Sequence, residues 1–125
     1  MPVSCLFCNI ESQRVISEND LAYAIRDGFP VTHLHTLIIP KRHAINYFDM
    51  TEEEILATNE LIRQMKENIE KSDSSVDGFN IGINAGESSG QTIFHCHIHL
   101  IPRRSGDTEN PRGGVRHIIP GKGYY

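Results

Sequence analysis

Thr92 to Arg104 reads TIFHCHIHLIPRR, with His95, His97 and His99 at strict two-residue spacing. Two residues is the repeat of a β-strand, whose side chains alternate between faces. The alternation predicts a strand over Ile93–Ile101. Phe94, Cys96, Ile98 and Leu100 form its apolar face and the three imidazoles occupy the other.

Other strands fall into place around it. Leu21–Ile25 (LAYAI) and His33–Ile39 (HLHTLII) read as strands, the second ended by Pro40, which lacks a ladder donor. Phe79–Asn84 (FNIGIN) alternates, with Phe79, Ile81 and Ile83 facing one way. One long helix is expected at about 52–71. Thr51-Glu52-Glu53-Glu54 is a capping box, Met50 and Ile55 are placed to staple the entry, and Ile55, Ile62, Met65 and Ile69 recur at helical spacing. Ser72–Gly78 reads as a loop. After Pro102 the chain becomes rich in Gly, Pro and charge, and residues 105–125 read as an irregular tail belonging to the same domain as residues 1–104. Strands and one helix without βαβ alternation indicate an α+β domain with an antiparallel sheet.

The chain has 125 residues, 38% of them hydrophobic and 22% charged, and a net charge of −4. That length is one domain with a real core, so a disulfide framework is not required. The acidic balance argues against a nucleic-acid partner, though a local site can still hold a small anion. No apolar run approaches a membrane span, and MPVSCLFCNIESQ lacks the features of a signal peptide. Three cysteines, two of them in Cys5-x-x-Cys8, fit a reducing compartment, and the chain reads as cytoplasmic.

The histidine row admits three readings. One ion shared by all three would be strained, because the outer pair of such a strand lies about 13 Å apart at Cα. A solvated strand face is the plainest reading, but the opposite face is cleanly apolar. Imidazole catalysis fits best: a neutral imidazole near pH 7 is a nucleophile, and its neighbours can fix a tautomer or move a proton. Just upstream, Asn84–Thr92 (NAGESSGQT) is a Gly- and Ser-rich loop able to present backbone N–H groups to phosphate oxygens. Cys5 and Cys8 have metal-ligand spacing, with a redox pair or plain core cysteines as the competing readings. Cys96 reads as a small buried hydrophobe.

The HCHIHLI segment resembles the His-x-His-x-His-x-x signature of the histidine triad (HIT) family of nucleotide hydrolases and transferases. GQT and NAG before it, and His35–His43 (HTLIIPKRH), resemble the family as well, over roughly Cys5 to Arg104. The resemblance implies a HIT-like fold with a five-stranded antiparallel meander and one long helix, usually as a homodimer. It also implies cleavage at the α-phosphate of purine nucleotide conjugates, either dinucleoside polyphosphates or nucleoside phosphoramidates, through a nucleotidyl-histidine intermediate. Carried across by position, His97 matches the nucleophile, His99 its phosphate-contacting partner and His35 the upstream histidine. Asn84, Gln91 and Thr92 match polar groups around the phosphate and leaving group, and Asp27 the ribose contact. A carboxylate suits a ribose diol because it accepts two hydrogen bonds. Pro102-Arg103 stands where polyphosphate-cleaving members often carry Pro-Arg, and Arg103 and Arg104 read either as donors to extra phosphates, whose oxygens a guanidinium fork matches, or as two solvated arginines at a strand end. Cys5, Cys8, His43 and His95 match a structural zinc set found in some members; no redox or organic cofactor is expected. His33 shares a face with His35 and His117 reads as solvated. The competing functions are a nucleotide-binding regulatory module with slow turnover and a zinc-dependent hydrolase.

Overall fold

The computed structural model describes residues 4–125. Residues 1–3, the start of the segment read above for a leader, lie outside the described residues.

Five strands form one antiparallel sheet: β1 (Val15–Glu18), β2 (Ala22–Arg26), β3 (Thr36–Pro40), β4 (Val76–Ile83) and β5 (Ile98–Arg104), in the order β1-β2-β3-β5-β4. The meander runs unbroken through β1–β3. The single long helix α1 (Glu52–Ser72) then carries the chain to the outer edge as β4, and β5 returns between β3 and β4. β5 is therefore an interior strand. No helix among the described residues is long and apolar enough to cross a membrane.

The capping box starts α1 as expected. Thr51 Oγ1 accepts from the Glu54 backbone N–H at 3.1 Å, and Glu54 Oε1 accepts from the Thr51 N–H at 2.8 Å. Glu54 also receives Arg42 Nε and Nη2 at 3.0 and 2.9 Å. That hydrogen bond is the main reason its carboxyl lies below the usual range. The pair joins the chain just before His43 to the start of the helix. Met50 is buried beside Ala44 and Cys96, with Ile55 packed on the same cluster.

Both faces of the sheet are covered. Ala22, Ala24, Ile38, Ile98 and Leu100 pack against Leu61, Met65 and Ile69 of α1. Small side chains at 22 and 24 let the helix lie close. On the other face, Tyr23, Ile25, Leu37 and Ile39 are covered by Phe7, with Cys5, Ile10 and Ile93 against them. The Tyr23 hydroxyl donates to the Phe7 carbonyl, pinning the N-terminal segment over the sheet.

Four sequence boundaries shift. β4 begins at Val76, inside the stretch Ser72–Gly78 that reads as a loop, because Val76 and Gly78 already pair with Arg104 and Arg103 of β5. β5 begins at Ile98 rather than Ile93, so His95 and His97 precede the strand. The Cys96 N–H bonds the Ala44 carbonyl at 2.7 Å, which takes that stretch out of the ladder. Pro102 lies inside β5, where pairing to β3 has ended at Leu100 and only β4 remains; a strand tolerates proline there. β3 begins at Thr36, because Leu34 turns the chain with φ 72° and breaks the alternation between His33 and His35. The tail contains a 3-10 turn, Gly114–Ile118, lying against β4. Its end docks on itself: the Arg112 and Arg116 guanidinium carbons sit 4.6 and 4.9 Å from the centre of the Tyr125 ring.

Candidate active site

Within β5 the side chains sort as alternation requires. Ile98 and Leu100 face the helix. His99 pairs with Leu37, and the His97 ring meets the edge of Phe7 at 5.0 Å, both on the face under the N-terminal segment. The His97 and His99 ring centres are 5.3 Å apart.

Hydrogen bonds assign a tautomer to each imidazole. His97 Nδ1 lies 2.8 Å from the His95 carbonyl. A carbonyl only accepts, so Nδ1 carries the proton and Nε2 keeps its lone pair. That tautomer leaves Nε2 as the nitrogen able to act as a nucleophile or a ligand. His35 is set from the other side: the Val31 N–H donates to its Nδ1 at 3.0 Å, which leaves the proton on Nε2. That Nε2 donates to His99 Nδ1 at 2.9 Å. His99 in turn must carry its proton on Nε2, as a donor. Asp27 Oδ2 stands 3.4 Å from His35 Nε2, and Asp27 Oδ1 accepts from the Phe29 N–H at 2.8 Å.

Burial keeps this chain neutral. It pushes His35 below the ordinary imidazole value, partly opposed by Asp27. His99 is pushed down to about 4, first by burial and then by His97 and His35. A neutral donor costs less to keep dry than a buried cation.

Two groups of side chains have metal-binding composition: Cys5, Cys8, His43 and His95, and Asp27, His35 and His99, with ligand atoms within 4.8 Å of one another in each. The tautomers separate them. His95 Nε2 donates to the Pro40 carbonyl at 2.7 Å, so its Nδ1 lone pair faces the sulfurs. Burial depresses its pKa and keeps it neutral. Cys5 and Cys8 Sγ lie 3.4 and 3.5 Å from His95 Nδ1, and Cys8 Sγ lies 3.2 Å from His43 Nδ1. A tetrahedral site with metal–sulfur bonds of ~2.3 Å and metal–nitrogen bonds of ~2.0 Å has S···N edges of about 3.5 Å. The four residues therefore fit a tetrahedral metal, and the Pro40 carbonyl supplies the outer hydrogen bond such a histidine needs. In the second group, His35 Nε2 carries a proton fixed by the Val31 bond and cannot also be a ligand. It is a hydrogen-bond relay.

The loop before the triad is built differently from its sequence reading. Gln91 is buried, its Oε1 accepts from the Gly86 N–H at 2.8 Å, and its Nε2 donates to the Ile45 and Ile93 carbonyls at 2.6 and 3.1 Å. Its amide braces the loop and has no donor left for phosphate. Gly86 and Gly90, at φ 95° and 98°, make the two reversals that a side chain would strain. Asn84 is half-buried, and Thr92 is exposed on a cleft shared with Cys5, Cys8 and His43. His33 is exposed and offers only its carbonyl, to Arg104 Nη2 at 3.0 Å.

Both arginines after the triad are committed elsewhere. Arg103 forms a fork on Asp107, with two bonds of 2.8 Å, and donates to Asn80 at 2.6 Å. Arg104 bonds Asp73 at 3.0 and 3.1 Å. The expectation that they meet extra phosphates thus finds their donors engaged within the protein. Phe7 against His97, Val31 on His35 and Pro40 on His95 were missed from sequence, since backbone and apolar partners leave no motif.

The antiparallel sheet, the helix and the converging imidazoles define a histidine-triad type of fold. The HIT domain family matches residues 9–106, and the chain belongs to it. It is similar to a Zn-bound histidine triad family protein from Mycobacterium smegmatis, with 36% identity, a TM-score of 0.77, and coverage of 86% of this chain and 80% of that one. A diadenosine triphosphate hydrolase from Plasmodium falciparum shares 30% identity with a TM-score of 0.73, over 81% of this chain and 68% of that one. An adenylylsulfatase of Arabidopsis thaliana is 37% identical over 107 residues, 82% of this chain and 54% of that protein.

Proposed function

We propose that this protein is a nucleotidyl hydrolase or transferase that cleaves nucleotide conjugates at the α-phosphate through a nucleotidyl-His97 intermediate. The observation that carries the reading is the tautomer set: a lone pair on His97 Nε2 beside a neutral N–H donor on His99. His97 Nε2 attacks phosphorus in line, the P–N bond forms, and the P–O or P–N bond to the leaving group breaks. The positive charge on the modified ring is shared with the His95 carbonyl through Nδ1–H. His99 Nε2–H donates to a phosphoryl oxygen as charge builds there. Water then displaces His97 from phosphorus and releases the nucleotide. Asp27 is assigned to the ribose hydroxyls, and Asn84 and Thr92 to the phosphate and leaving group.

His95 commits both ring nitrogens, to Pro40 and towards the cysteines, so it protonates no leaving group. Substrates whose leaving group departs as an anion, such as a nucleotide, phosphate or sulfate, suit this site better than an amine. The zinc of the related mycobacterial protein supports the same ion on Cys5, Cys8, His43 and His95, where it would be structural: the set is closed, with no open position. The exposed apolar side chains of Ile81, on edge strand β4, and the nearby Phe48 support a homodimer through that edge; sedimentation of the native chain tests it.

The testing experiment is a kinetic panel of adenosine phosphoramidate, diadenosine polyphosphates and adenylyl sulfate on the wild type and His97→Ala. Wild-type turnover with AMP release, lost in His97→Ala while AMP still binds, is expected. Binding of AMP with no conjugate turned over would favour the regulatory module instead.

A further inference from the structure

Leu34 is the one non-glycine residue with positive φ among the described residues, at 72°, and it immediately precedes His35. A residue with a Cβ is disfavoured there. Such a conformation persists only where the surroundings over-determine it, and it gathers at functional sites.

The surroundings do so here. The Leu34 side chain packs against the core between α1 and the sheet. Its carbonyl accepts from Thr36 Oγ1 at 2.8 Å, and that hydroxyl is itself held by Arg26 Nη1 at 2.6 Å. On the other flank, Arg104 Nη2 grips the His33 carbonyl at 3.0 Å. Arg104 is fixed in turn by Asp73, the residue that caps the end of α1. Thr32 Oγ1 donates to the Pro102 carbonyl at 2.7 Å, and the His35 N–H closes the turn on the Thr32 carbonyl at 3.1 Å. The reversal brings the Val31 N–H onto His35 Nδ1, four residues ahead.

We propose that Leu34 and Arg104 are positioning residues for nucleotidyl transfer. Together they hold the left-handed turn that delivers the Val31 N–H to His35 Nδ1, and so they choose which nitrogen of His99 presents its proton to the phosphate. The inference rests on His97 acting as nucleophile with His99 as donor. It gives Arg104 a role in place of contact with substrate, and it makes the end of α1 part of the site's support.

The test compares Leu34→Gly, Leu34→Met and Arg104→Met with the wild type, by long-range 1H–15N imidazole spectra and by steady-state kinetics. Glycine accepts the left-handed backbone but removes the anchor. Methionine at 34 keeps an apolar anchor and is the conservative rescue. Arg104→Met frees the His33 carbonyl without opening the core, which guards against a folding defect at position 34. The wild type and Leu34→Met should show His35 with its proton on Nε2 and Nδ1 accepting. Leu34→Gly and Arg104→Met should show mixed tautomers at His35 and His99. Their kcat should fall roughly ten- to a hundredfold, the range that follows loss of site geometry. KM should stay near wild type, since Leu34 packs against the core and Arg104 is bonded to Asp73 and the His33 carbonyl. Unchanged tautomers or unchanged kcat in both variants overturns the proposal. A wild type that turns over no nucleotidyl conjugate overturns the functional reading instead.

Discussion

His99→Gln should remove part of the acid sensitivity of folding. In the native protein the His99 imidazole is pushed down to about 4, mainly by burial. An unfolded chain carries the ordinary value of about 6.5. Between those values the unfolded state binds a proton that the folded state does not. Stability attributable to His99 is therefore full above pH ~6.5, falls as the pH is lowered through the window, and is exhausted below pH ~4. At about pH 5, linkage gives a loss of about 2 kcal/mol, against about 3 kcal/mol for the whole shift. Glutamine keeps an acceptor for the His35 Nε2–H but does not titrate. His35 and His95 are also depressed by burial, but they remain in both proteins and largely cancel in the comparison. Urea unfolding at about pH 7.5 and about pH 5 reads the effect: the wild type should lose about 2 kcal/mol more than His99→Gln. Equal losses, within the ~0.5 kcal/mol at which independent sites add, would refute the buried neutral relay.

Thr51→Ala should cost about 1 kcal/mol in urea unfolding, because it removes one half of the capping box while Glu54 stays on Arg42. Arg103→Ala should leave KM for a dinucleoside tetraphosphate near wild type; a tenfold rise, ~1.4 kcal/mol, would return Arg103 to the substrate. Native protein should carry about one zinc per chain by elemental analysis. Cys5→Ser with Cys8→Ser should lose that zinc and lower the melting temperature, while a metal-free native protein would refute the site.

What could be read from sequence was local. The capping box at Thr51–Glu54 and the helix over about 52–71 needed only neighbours in the chain, and the helix is Glu52–Ser72. The facing of Ile98, Leu100 and His99 followed from alternation alone. The start of the triad strand did not, because His95 is drawn off by the Pro40 carbonyl and the cysteines, and Cys96 by Ala44. Those partners lie far away in the chain. β1 escaped because Val15–Glu18 is only four residues, three of them half-buried, and its pairing slips by a bulge. The turn at Leu34 left no trace, since a left-handed residue is expected at glycine or asparagine and here a leucine is held there by packing. Gln91 matches by position the polar groups around the phosphate and leaving group, but in the folded chain it is buried and its amide is bonded to the backbone. The two arginines looked available in sequence because Asp73 and Asp107 approach them only in the folded sheet.

The central claim is two successive displacements at one phosphorus atom, the first by His97. Its most direct measurement is the stereochemistry of cleavage of a nucleotide conjugate chiral at the α-phosphorus as a phosphorothioate, hydrolysed in 18O-labelled water. Each in-line displacement inverts phosphorus, so attack by His97 followed by attack of water should give overall retention. Overall inversion would mean that water attacks the substrate directly, and the nucleotidyl-His97 account would be wrong.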